Sequence, residues 1–240
     1  TIHVVGIPES ELNDLIRPWF KVDGPITVGV LASRGQLRVR VRATAPTAEA
    51  ARAERDRVLA ELKGAIPPEL VYAEGPEVYP LEKAVLEALA ARGATLAVAE
   101  SCTGGGVAHR LTAVPGSSDV FVEGFVTYAN AAKVARLGVP ESLLAEHGAV
   151  SAPCAAAMAE GARRASGATV AVSITGIAGP TGGTPTKPVG TVFFGLADES
   201  GVRAFHRELA GDREAVRWRS EIAALDLARR WARGLPLPRP

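Results

Sequence analysis

At 240 residues, with 47% hydrophobic and 22% charged side chains, the chain has the composition of a folded globular protein, one large domain or two small ones. Its 27 basic and 26 acidic residues nearly cancel, which argues against global attraction to nucleic acid or an anionic membrane. No apolar run approaches the ~20 residues of a membrane span. The two cysteines, Cys102 and Cys154, make no disulfide framework and suggest reduced thiols in a cytoplasmic protein.

The chain begins at Thr1 rather than Met and is strand-like at once, which suggests that a preceding segment has been removed. Ile2, Val4 and Val5 mark the first strand. Leu12, Leu15, Ile16 and Trp19 then recur at helical spacing and predict a helix over 9–20. ITVGVLA and QLRVRVRA follow as a hairpin about Ser33, Arg34 and Gly35. A long helix starts at the N-cap Thr47, with Gly64 expected just after its last full turn. ELVYAEG is the closing strand, so the order is β-α-β-β-α-β, and Pro67, Pro68 and Pro76 place a boundary near Gly75. Residues 1–75 form a small α+β domain and 76–240 a second one.

In the second part, helices are predicted over 81–92, 107–114, 131–137, 153–166 and 214–233, with a Pro-rich tail after the last. The strands are TLAVAES, FVEGFVTYA, TVAVSITGIAG, GTVFFGLAD and VRAFHREL. Strands interspersed with helices predict a three-layer α/β/α sandwich around a mixed sheet.

Four segments of this part carry chemistry. AESCTGGG (99–106) ends a buried strand in hydroxyl, thiol and glycine residues before a helix, a geometry that exposes a nucleophile near helix amides. The plain alternative is an N-capped helix start. FVTYANAAKV puts Tyr128, Asn130 and Lys133 at a strand end and a helix start. A solvated lysine is a poor base, but burial favours its neutral amine; the alternative is a surface lysine with a core tyrosine. In SITGIAGPTGGTPTKPVGTV, Thr175, Gly176, Gly179, Thr181 and Gly182 offer a backbone nest for an anion such as phosphate, although neither a P-loop nor a G-x-G-x-x-G fingerprint is present. A long flexible hairpin loop is the alternative. AGDR places Arg213 before the last helix, where it can pair with phosphate or carboxylate or merely face solvent.

Together these segments resemble the C-terminal domain of the competence/damage-inducible protein CinA, whose stand-alone relatives are nicotinamide mononucleotide deamidases. AESCTGG, GFVTYANAAK, LLAEHGAVS, SITGIAGPTGG, KPVGTV and GDR appear in the family's order over 81–233. The resemblance implies hydrolysis of the carboxamide of nicotinamide mononucleotide to nicotinic acid mononucleotide and ammonia, with no cofactor or metal. It implies Ser101 as nucleophile, Lys133 as base, Tyr128 assisting, and Thr175 and Arg213 as further functional residues. Amides of Cys102, Thr103, Gly104 and Gly105 are the expected oxyanion donors, with Asn130, Gly176 and Gly179 nearby. Residues 1–75 resemble the family's KH-like connecting domain, and the molybdopterin-binding-like N-terminal domain is absent from this chain. A homodimer is the expected assembly.

Three other readings compete. Cys102 is intrinsically more nucleophilic than serine, and a helix N-terminus would lower its pKa. Arg38, Arg40 and Arg42 on one face of a strand suggest nucleic-acid binding, yet 1–75 balances ten basic against ten acidic residues and holds no GXXG loop. The Ala-rich helices suit an interaction platform. His109, His147 and His206 show no metal-ligand spacing.

Overall fold

The computed structural model describes residues 1–20 and 24–238. The chain divides into two compact units, Thr1–Leu81 and Glu82–Pro240.

The first unit contains β1 (Ile2–Val5), α1 (Glu9–Ile16), β2 (Ile26–Ser33), β3 (Gln36–Ala43), α2 (Ala48–Ala65) and β4 (Val71–Glu74). Its antiparallel sheet has the order β2-β3-β1-β4. Alternation in β3 buries Leu37, Val39 and Val41 beside Leu12 and Ile16 of α1 and Val58 and Leu62 of α2. The β2–β3 turn is a two-residue one in which Arg34 (φ 47°) and Gly35 (φ 81°) both take left-handed angles, matching the twist of the strands.

Two helix ends differ from expectation. α1 stops at Ile16, and Arg17–Trp19 tightens into a 3-10 turn containing Pro18, which has no N–H to continue the helix. α2 runs through Gly64 to Ala65. Ile66 is extended (ψ 124°), as the residue before Pro67 must be, so the proline rather than the glycine ends the helix. Thr47 does cap α2, accepting the Ala50 N–H at 3.2 Å.

The second unit comprises α3 (Leu81–Arg92), β5 (Leu96–Glu100), α4 (Gly106–Thr112), β6 (Phe121–Val126), α5 (Asn130–Leu137), α6 (Glu141–His147), α7 (Ala152–Ser166), β7 (Val170–Gly176), β8 (Thr191–Asp198), β9 (Gly201–Glu208) and α8 (Arg213–Ala232). The sheet order is β6-β5-β7-β8-β9. β5 is parallel to both neighbours, and the β7–β8 and β8–β9 pairs are antiparallel. α7 packs on β5, β7, β8 and β9, while α8 packs on β7, β8 and α4, giving three layers. Every residue of β5 is buried, as expected of a central strand covered on both faces.

α7 lies close to the sheet because Gly195 has no side chain: a Cβ there would overlap the Ala155 carbonyl. Ser173 fastens the contact, donating to Ala155 O at 2.5 Å and accepting the Gly195 N–H at 3.1 Å. α6, which overlaps the start of LLAEHGAVS, has no fully buried residue; only Leu143 and Leu144 lean on the core, adjacent positions that show no helical periodicity.

Candidate active site

The parallel pairing of β5 with β6 and β7 aligns three strand ends. The ladder continues one step past β5: Ser101 N–H donates to Ile174 O (3.0 Å), and Thr127 N–H donates to Glu100 O (2.9 Å). Ser101, Thr127 and Thr175 consequently emerge side by side at the carboxyl ends of parallel strands, where α/β sheets place their ligands. α5 begins just beyond β6 and brings in Lys133.

Lys133 is 1% exposed. Its Nζ lies 3.0 Å from Ser101 Oγ, 2.8 Å from Thr127 O and 3.1 Å from Tyr128 O. No carboxylate among the described residues lies within ion-pair distance of it. Burial holds the amine below the usual lysine value. A neutral amine has two N–H bonds and one lone pair. With two carbonyls accepting the N–H bonds, the lone pair is left to accept the Ser101 hydroxyl proton.

Turn geometry after Ser101 is set by glycine. Gly104 (φ 62°) and Gly105 (φ 96°) are left-handed, and Ser101 O accepts the Gly104 N–H at 3.1 Å. The amides at the start of α4 turn inward to Glu100, which is 1% exposed. Its carboxylate accepts from Gly105 N (3.0 Å), Val107 N (3.1 Å) and Ala108 N (2.9 Å). This corrects the expectation for Gly105, and for helix amides generally: they cap a buried carboxylate and are not offered to a ligand. Gly104 N–H is also engaged. Within the turn, the amides of Cys102 and Thr103 have no carbonyl or carboxylate acceptor among the described residues. Thr103 Oγ1 and Thr127 Oγ1 are buried without hydrogen-bond partners there.

Cys102 does not behave as an activated thiol. Burial pushes its pKa up to about 12, with the charge of Glu100 acting in the same direction, the reverse of the lowering expected at a helix N-terminus. Burial also raises the Cys154 thiol.

Tyr128 faces two ways. Its carbonyl binds Lys133, whereas its side chain is 60% exposed and its hydroxyl accepts from Arg213 Nη2 at 3.2 Å. The phenol is thus engaged by arginine, not by the lysine amine. Arg213 Nη1 also donates to Gly179 O at 2.8 Å, so it ties the Gly/Thr-rich loop to Tyr128. Asp212 caps α8 through Ala215 N (2.9 Å) and so fixes where Arg213 starts. Thr175, buried, donates its hydroxyl to Ala149 O at 2.7 Å. Gly176 is a close-packing position, where a Cβ would crowd Val192 and Thr191 O. Asn130 is exposed at the first turn of α5.

Three polar residues escaped the residue patterns. Glu100 reads as the polar end of a strand. Thr127 acts through its carbonyl, which no side-chain pattern reveals. Arg217 donates from Nη2 to Thr103 O at 2.8 Å, holding the turn after Ser101 from α8. Among the described residues no cluster of His, Cys, Asp and Glu is arranged to hold a metal ion, and no helix is long and apolar enough to cross a membrane.

A mixed α/β unit with a serine and a buried lysine at its parallel strand ends thus follows a small antiparallel α+β unit. The family profile of the CinA C-terminal domain matches residues 78–232, and that of the damage-inducible protein CinA KH domain matches residues 1–72. The chain belongs to the CinA family. A putative competence-damage inducible protein of Symbiobacterium thermophilum is 46% identical over 243 residues, covering 98% of this chain and 56% of that protein. A CinA-like protein of Anaeromyxobacter sp. is 48% identical over 233 residues, covering 95% and 55%. The chain therefore spans about half the length of the curated relatives it matches. Among solved structures, the CinA superfamily protein of Escherichia coli is 37% identical with a TM-score of 0.59, covering 60% of this chain and 84% of that one. A competence/damage inducible protein of Agrobacterium tumefaciens is 40% identical with a TM-score of 0.59, covering 62% and 94%.

Proposed function

We propose that the second unit is a serine amidohydrolase that removes the amide nitrogen of nicotinamide mononucleotide. The observation that carries this is the buried Lys133 amine, 3.0 Å from Ser101 Oγ and without a carboxylate partner among the described residues. The substrate comes from the resemblance of the ordered motifs to nicotinamide mononucleotide deamidases.

Neutral Lys133 accepts the Ser101 proton as Oγ attacks the carboxamide carbon. The resulting oxyanion lies against the amides of Cys102 and Thr103, which have no carbonyl or carboxylate acceptor among the described residues; one such donor contributes about 3 kcal/mol to lowering a barrier. Protonated Lys133 gives its proton to the amide nitrogen as the carbon–nitrogen bond breaks, so that the nitrogen leaves as ammonia. Water, deprotonated by the same amine, then cleaves the acyl-serine ester to give the acid. Thr127 and Tyr128 steer the amine through their carbonyls, and the Tyr128 hydroxyl acts from the rim beside Arg213. The reaction needs no cofactor, and we place it in the cytoplasm, in a homodimer.

The test is ammonia release from nicotinamide mononucleotide, nicotinamide riboside and free nicotinamide, with Ser101→Ala alongside. The nucleotide is expected to be the best substrate, and Ser101→Ala to lose at least ~10³-fold in kcat. Full activity in Ser101→Ala would overturn the assignment of the nucleophile. Absence of ammonia from all three compounds would overturn the activity.

A further inference from the structure

α8 sends two arginines toward the site from one face. Arg213 and Arg217 are four residues apart, one helical turn. Arg213 bonds Gly179 O and the Tyr128 hydroxyl, and Arg217 bonds Thr103 O in the turn that follows the nucleophile. Neither has a carboxylate within 4.0 Å among the described residues, so each is held by neutral oxygens alone, with most of its N–H donors uncommitted. Glu221, one turn beyond Arg217, feels the charge of both Arg217 and Arg110, but its ion pair within 4.0 Å is with Arg110, at 3.7 Å. Gly104 is exposed and Arg217 half-buried, and a Cβ at Gly104 would stand in ordinary contact with Arg217 Nη2, at 3.7 Å.

Two guanidinium groups one turn apart on α8, one bonded to the turn after Ser101 and the other to Tyr128, and neither in an ion pair within 4.0 Å among the described residues, are suited to a dianion. Resting on the amidase reading above, we propose that Arg217 is a specificity-determining residue that forms, with Arg213, a two-arginine cradle for the substrate's phosphate monoester. Arg217 thereby sets the preference for the nucleotide over the uncharged riboside. Its bond to the Thr103 carbonyl holds the guanidinium in place before the substrate arrives.

The experiment measures kcat and KM for nicotinamide mononucleotide and nicotinamide riboside with the full chain, Arg217→Gln and Arg217→Lys. The nucleotide-to-riboside ratio of kcat/KM is expected to fall at least tenfold in Arg217→Gln, mainly through KM for the nucleotide. Arg217→Lys, which keeps the charge and loses the planar fork, is expected to fall between the two. If Arg217 only braces the turn, both substrates decline together and the ratio is unchanged, which overturns the proposal. Titration of inorganic phosphate and of the nucleotide, followed by ³¹P line width, separates this from failure of the amidase reading. Should the native chain release no ammonia, binding of both anions that weakens tenfold in Arg217→Gln still supports the cradle. No binding, or binding indifferent to the substitution, sinks it.

Discussion

Replacing Lys133 by arginine separates a base from a mere positive charge. Lys133 is 1% exposed and its amine is 3.0 Å from Ser101 Oγ, so arginine can retain a donor near the serine and fill similar space. It cannot supply a lone pair, because guanidinium stays protonated at any working pH. A positioned general base contributes about 10²–10⁴-fold, or ~3–5 kcal/mol of barrier. Lys133→Arg should therefore lose at least ~10² in kcat, with KM for the nucleotide changing much less. The native enzyme should show kcat/KM rising tenfold per pH unit and levelling off as Lys133 loses its proton. That limb should lie below the ordinary lysine value of about 10.4, since burial depresses the pKa. The sign follows from the neutral amine being the active form, so activity is lost as pH falls. The same depression means that between the two values the unfolded chain holds a proton that the native one lacks, so stability rises with pH across that window. Ammonia release across pH, for native and Lys133→Arg proteins, tests both. An arginine variant with a tenth or more of native kcat and an unaltered pH profile would refute the base assignment.

Other substitutions probe the support around this pair. Cys102→Ala should keep activity within a few-fold and abolish little beyond any thiol labelling, because a thiol pushed up to about 12 supplies almost no thiolate at neutral pH; a loss comparable to that of Ser101→Ala would reinstate the cysteine as nucleophile. Glu100→Ala strands the buried amide of Val107 and the part-buried amides of Gly105 and Ala108, and at ~1–3 kcal/mol per buried unsatisfied donor should cost at least ~1 kcal/mol in urea unfolding followed by Trp emission. A cost under ~1 kcal/mol would show that water satisfies these amides. Gly161→Ala sets helix propensity, a gain of ~1 kcal/mol, against a Cβ that overlaps the Leu137 carbonyl. Overpacking of ~1–3 kcal/mol should win, lowering Tm and also kcat, since Leu137 and Lys133 share α5; a raised Tm would contradict it.

Most of the architecture was legible because its signals are periodic. The alternation of Leu37, Val39 and Val41 against Arg38, Arg40 and Arg42 states which face of β3 meets the helices, and the structure keeps it. Where one local signal opposed another, pattern reading chose badly. Gly64 looked like a helix terminator, but Pro67 acts on Ile66 and lets the helix pass the glycine. α6 offers the core only the adjacent Leu143 and Leu144, so no helical spacing could announce it.

The site was legible to a different depth. Ser101 and Lys133 are 32 residues apart, and no spacing rule joins them; their meeting depends on β5 and β6 being parallel neighbours, which follows from the tertiary fold. Family motifs in order brought the two residues together, but those motifs are silent about backbone. A strand end rich in glycine before a helix suggests amides aimed at a ligand. Whether they are free depends on what else lies within 3 Å, and here Glu100 occupies them, leaving the amides of Cys102 and Thr103 as the proposed donors beside Ser101. Glu100 is held by three hydrogen bonds, all from N–H groups beyond Gly104, while its negative charge is still felt at Cys102. The same residue that removes the helix end from the site thereby fixes the short turn on which the proposed oxyanion must rest.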